Sequence, residues 1–144
     1  MFKRLVMMRS IPSKAPPATN SMFSKGRGGI ALTTFNSKMW VIGGWAGGSG
    51  ESDVWYSTDG STWTQATSNL GAGSYGHSAA STSSKIWVFG GHYGQSNLSW
   101  YSSDGITWSS LSFPSGTRTF SDSNNVIYDG AIWLAGKNKV WKLK

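Results

Sequence analysis

The sequence predicts an all-β fold assembled from repeated four-stranded sheets, and three observations carry that expectation. The first is composition: among 144 residues aromatic side chains reach 14% with nine Trp, charged side chains only 13%, and glycine numbers 19. That mix suits short strands and tight turns better than helices rich in Glu, Lys, Ala and Leu. The second is an internal repeat, and the third is the regular spacing of turn residues within each copy. The length allows one modest domain.

The repeat is direct. Lys38-Met-Trp-Val-Ile-Gly-Gly44 returns as Lys85-Ile-Trp-Val-Phe-Gly-Gly91, and Asp53-Val-Trp-Tyr-Ser-Thr-Asp-Gly-Ser-Thr-Trp-Thr64 returns as Leu98-Ser-Trp-Tyr-Ser-Ser-Asp-Gly-Ile-Thr-Trp-Ser109. Trp55 falls over Trp100, Asp59 over Asp104 and Trp63 over Trp108. A third, shorter copy closes the chain, with Ala131-Ile-Trp-Leu-Ala-Gly136 and Val140-Trp-Lys142.

Each full copy reads as four strands, expected at about 29–35, 38–44, 53–58 and 61–67 in the first and about 76–82, 85–90, 98–103 and 106–111 in the second. Gly43-Gly44 and Gly90-Gly91 are expected to end the second strand, where the missing Cβ permits unusual backbone angles. Asp59-Gly60 and Asp104-Gly105 are expected to join the third and fourth strands as two-residue hairpins with positive φ at both positions. Four strands in about 45 residues is the signature of a β-propeller blade.

The apolar run ending in a glycine doublet, followed by a Trp-Tyr strand, resembles the kelch repeat, from about Gly26 to Lys144. The hairpins at Ser57 to Trp63 and Ser102 to Trp108 are also similar to the Asp-box of sialidase-type propellers, one residue short of its usual spacing. In the third copy the doublet is reduced to Ala135-Gly136. The resemblance implies partial propeller blades at about 26–73, 74–117 and 118–144. It implies as well that the N-terminal stretch Phe2 to Met8 supplies the outermost strand of the third blade. Residues 1–25 are thus divided into this closing strand and a Pro-rich segment, whose Pro12, Pro16 and Pro17 suit either a stiff, extended connector to a neighbour or a plain surface loop. Propellers close with roughly 4–8 blades. Three blades therefore predict completion by oligomerisation, six blades as a homodimer, or packing of the open wedge on another protein.

Charge is uneven. Residues 1–27 carry six Lys or Arg and no acid, residues 28–117 two bases against four acids, and residues 118–144 five bases against two acids. The basic termini, with Lys3, Arg4, Arg9, Lys14, Lys139 and Lys142, are candidate docking residues for an acidic partner. Because the aromatic middle is slightly acidic, nucleic-acid binding is not expected. The apolar stretch Leu5 to Met8 is too short for a cleaved signal, and no run is long enough to insert in a membrane, so a virion or cytoplasmic location is expected.

The inventory for chemistry is thin: six acids, two His and no Cys. Asp59 and Asp104 read as turn-makers. His77 and His92 show no recurring ligand pattern, so no metal and no cofactor are expected. The cysteine of galactose-oxidase-type copper sites has no counterpart, and the arginines, Arg27 and Arg118 among them, lack the surroundings of a sialidase triad. Trp40, Trp87 and Trp133, like Trp55, Trp100 and Trp141, hold equivalent positions and are expected to pack between blades. Trp45, His92 and Tyr93 are expected on the loop after the doublet and are the candidate binding residues, suited to a sugar ring or a protein contact. The reading is a non-enzymatic structural or binding module, with a capsid- or tail-associated virion component first. Phage structural proteins resemble it in such Tyr-Ser-x-Asp-Gly-x-Thr-Trp repeats. A glycan-binding lectin is the alternative and a kelch-type enzyme the third reading.

Overall fold

A computed structural model of the chain describes residues 23, 25–71, 75–91, 98–112, 124–136 and 139–143. They form eleven strands in three antiparallel sheets and no helix. The first blade is β1 (Ala31–Phe35), β2 (Lys38–Ala46), β3 (Ser49–Ser57) and β4 (Thr64–Thr67), paired in that order. The second is β5 (Ser78–Ser81), β6 (Ile86–Phe89), β7 (Leu98–Ser102) and β8 (Ser109–Ser112). The third holds three strands, β9 (Asn124–Tyr128), β10 (Ala131–Gly136) and β11 (Lys139–Leu143), with β10 in the middle. The stretch from Phe2 to Met8 and the Pro-rich connector lie outside the described residues.

Strand alternation gives every blade two apolar faces, as stacking requires. The face a blade turns toward the next blade is its forward face and the other its rear face. On the first blade, Trp40 and Ile42 look forward to the second, which answers with Ile86, Val88 and Trp100; all are buried in one cluster with Phe35, Val54 and Leu70. The opposite face of the second blade, Ala80 and Phe89 with Trp87 beside them, packs on Ile132 and Leu134 of the third. The inner strands β1, β5 and β9 lie next to one another. Ser81 donates a hydrogen bond to the Thr34 carbonyl across the first junction, and Asn125 donates one of 2.9 Å to the Ala79 carbonyl across the second.

The turns differ from expectation in two places. Among the described residues the true two-residue hairpins are Asn36-Ser37, Gly47-Gly48 and Asp129-Gly130, each with positive φ at both residues. Between β3 and β4, and again between β7 and β8, the connection is longer, because the aspartate carboxylate gathers backbone donors and holds an open loop. Asp59 Oδ1 accepts the N–H of Ser61 and Thr62 at 2.8 and 2.7 Å, and Ser57 Oγ accepts the N–H of Gly60 at 2.8 Å. Asp104 and Ser102 repeat the arrangement on Ile106, Thr107 and Gly105. Only the glycine of each pair has positive φ, 76° at Gly60 and 79° at Gly105. The fourth strands accordingly start three residues later than expected.

The second place is Gly43-Gly44. The doublet ends no strand: β2 runs on to Ala46, with an irregularity in its pairing to β3 between Ile42 and Gly44. In the second copy the strand does stop at Phe89, before Gly90-Gly91. In the first copy the Gly47-Gly48 turn places the β2–β3 hairpin two residues beyond the doublet.

Candidate binding surfaces

Trp45, expected on a loop, is a strand residue. Its N–H donates to the Gly28 carbonyl at 2.8 Å and its carbonyl accepts the Gly28 N–H at 3.1 Å, so residues 25–30 lie as a strap across the end of β2. That approach requires glycine at 44: a Cβ there would fall 2.6 Å from Ile30 Cγ2 and 3.0 Å from the Gly28 carbonyl oxygen, at φ 115°. The Trp45 ring is half-buried and meets Tyr75 edge-on, centroids 4.8 Å apart. His92 and Tyr93 lie outside the described residues, so the expected trio is represented by Trp45 alone.

His77 sits just before β5 and is buried beneath this corner, its Nε2 2.9 Å from the Ile42 carbonyl oxygen. Burial pushes its pKa down to about 4, against a smaller upward pull from that carbonyl. The neutral ring ties the second blade to the first, and Nδ1 is buried without a hydrogen-bond partner. Among the described residues no cluster of three or more His, Asp or Glu converges as a metal site would.

The strap is fastened by an ion pair that the repeat pattern does not reveal. Arg27 donates to both carboxylate oxygens of Asp53, at 2.8 Å from Nη2 to Oδ2, and Trp55 Nε1 donates to the same Oδ2 at 2.7 Å. The guanidinium carbon also stands 3.9 Å from the centre of the Phe23 ring, which meets Trp55 edge-on. Burial acts to raise the Asp53 pKa, but hydrogen bonds from Arg27 and Trp55 with the guanidinium charge outweigh it and hold it below the ordinary value. The sequence signal for this pair is weak because Leu98 occupies the place of Asp53 in the next copy. The expected equivalence of Trp55 and Trp100 is correspondingly loose: Trp100 is in the core between blades, whereas Trp55 is half-buried under the strap.

The hairpin aspartates are exposed and serve the backbone. The N–H groups of Thr62 and Ser61, with Ser57, lower Asp59 to about 2, and those of Ile106 and Thr107 lower Asp104 below its ordinary value.

Two larger surfaces remain at the ends of the stack. The rear face of the first blade is an apolar groove lined by Ile30, Leu32, Thr34, Met39, Val41 and Trp63, with Leu32 62% exposed. The forward face of the third blade is another, lined by Asn124, Val126, Trp133, Ala135 and Val140, with Val126 59% and Val140 65% exposed. Of the candidate docking residues, Lys142 lies here, its ammonium 5.0 Å from the Trp133 ring centre, and Lys139 opens β11. Lys3, Arg4, Arg9 and Lys14 lie outside the described residues.

A family model for the kelch motif matches residues 26–70, a span that covers the strap and all four strands of the first blade. Kelch motifs build β-propeller modules that typically bind other proteins. No curated protein matches the chain. No described segment is a helix long and apolar enough to cross a membrane.

Proposed function

We propose that this kelch-motif chain is a non-enzymatic protein-binding module whose working surfaces are the two open ends of its blade stack, and that it serves as a building part of a larger assembly such as a virion. The observation that carries the reading is the pair of apolar grooves around Leu32 and around Val126, each a blade face of the kind buried between blades elsewhere in the chain. Exposed apolar patches of that sort mark contact surfaces. The basic termini would add attraction to an acidic neighbour.

Incorporation tests the reading. Full-length protein carrying Leu32→Asp together with Val140→Asp is compared with the parent for co-sedimentation with the native particle or complex. Loss of incorporation with an unchanged far-UV circular dichroism spectrum supports the proposal, and undiminished incorporation refutes it. A glycan-array signal that Trp45→Ala abolishes would replace it with the lectin reading.

A further inference from the structure

The junction between the first two blades is a template for what covers the ends. At that junction the Trp40 indole lies against the Asp104-Gly105 turn of the next blade, so close that a Cβ on Gly105 would fall 2.1 Å from its Cη2. Trp40 is 2% exposed as a result, and its Nε1 donates to the Phe35 carbonyl at 3.0 Å. Trp133 is the equivalent residue of the third blade and makes the equivalent bond, Nε1 to the Tyr128 carbonyl at 3.2 Å. Its indole is thus held by the same kind of bond as Trp40, on a face that no other described blade covers.

The matching receptor is at the other end of the stack. Leu32, Met39 and Val41 of the first blade correspond by strand register to Ala79, Ile86 and Val88 on the rear face that receives Trp40, whereas Trp55, the counterpart of Trp100, is taken by the strap. Gly60 corresponds to Gly105 in a loop of the same form, with φ 76° against 79°. Above Gly60, where the template has an indole, only the Met39 Cε lies near among the described residues, 3.2 Å from where a Cβ would be. A methionine tip is flexible enough to move aside for a ring.

From this complementarity we infer that a second copy of the chain covers both ends, head to tail, with Trp133 of each copy seated over Gly60 and Met39 of the other. This deepens the binding-module reading and rests on it. Two copies give six blades, within the range in which propellers close, and a two-fold ring buries both grooves of both chains at once.

The test uses full-length protein and two variants of exposed residues, Leu32→Asp on the rear face and Val126→Asp on the forward face. Sedimentation equilibrium of the parent should give twice the chain mass of 15.5 kDa. Each variant alone should be monomeric, with the dimer dissociation constant raised about 30-fold or more for each damaged junction. An equimolar mixture should recover a dimer, because one intact rear face then meets one intact forward face. That recovery also shows that both variants fold. Arrangements pairing like faces predict instead that one variant stays dimeric by itself. A monomeric parent, a variant that remains dimeric, or a mixture that does not recover each overturns the inference. A monomeric parent would leave the binding-module reading standing, since that reading is decided by incorporation into the native assembly.

Discussion

Gly105→Ala isolates the contact on which the blade packing depends. At φ 79° an alanine is forced into the left-handed region, which costs about 1–2 kcal/mol. Its Cβ would also fall 2.1, 2.3 and 2.8 Å from three ring carbons of Trp40, and a buried indole fixed by its bond to Phe35 has no room to retreat. Overpacking of this kind adds about 1–3 kcal/mol. The expected loss is therefore about 2–5 kcal/mol, a large part of the roughly 5–15 kcal/mol that holds an ordinary domain together. Gly60→Ala is the internal control, because it has the same loop and nearly the same φ but meets, among the described residues, only the Met39 Cε at 3.2 Å. In monomeric protein it should show the backbone part alone, about 1–2 kcal/mol. Urea denaturation followed by far-UV circular dichroism, both substitutions being made in the Val126→Asp background, measures the difference. If the two variants lose the same stability within the error of extrapolation, the Trp40 seat does not organise the junction and Trp133 loses its template.

The buried and capping polar groups give further expectations. His77 has a folded pKa of about 4 against an ordinary 6.5, so the unfolded chain binds its proton first. Stability should fall as pH drops from about 6.5 toward 4, by about 3 kcal/mol, and His77→Gln should flatten this slope in denaturation midpoints taken across that window. A slope unchanged by the substitution would show that His77 is not the group responsible. Proton titration by NMR should find the Asp59 carboxyl at about 2 and Asp104 below 3.8, with Ser57→Ala and Ser102→Ala moving them upward. Arg27→Ala should cost about 2–3 kcal/mol by stranding the Asp53 carboxylate, and a cycle with Asp53→Ala should show coupling rather than additivity.

The repeat made the blades legible because blade stacking repeats a physical requirement: an apolar second strand recurs in all three copies, and a Trp-Tyr third strand with an Asp-Gly loop recurs in the two longer ones. The hairpin loops depart from the expected turn for a specific reason. Asp-Gly between strands is read by default as a two-residue turn, but Ser57 and Ser102, two residues ahead of each aspartate, supply a second side chain that caps the loop and widens it. The Trp45 corner was illegible because its position depends on the strap at residues 25–30, and the bond between Gly28 and Trp45 is backbone to backbone, leaving no side-chain trace. Arg27 and Asp53 were invisible to repeat reasoning for the opposite cause: they occur in one copy only, where the strap needs an anchor.

Three equivalent tryptophans show how position in the stack, rather than residue type, sets environment. Trp40 is buried, whereas Trp87 and Trp133 are half-buried. The graded element is the Asp-Gly loop that follows the third strand of the next blade. The second blade brings Asp104-Gly105 over Trp40, no such loop lies over Trp87 among the described residues, and no described blade lies beyond Trp133. The one such loop over which no second-strand indole lies among the described residues is Asp59-Gly60, on the first blade. A single rule therefore accounts for the sealed junction, the partly sealed one and the two open ends, and it leaves one unfilled seat and one unseated indole as complementary halves of the same contact.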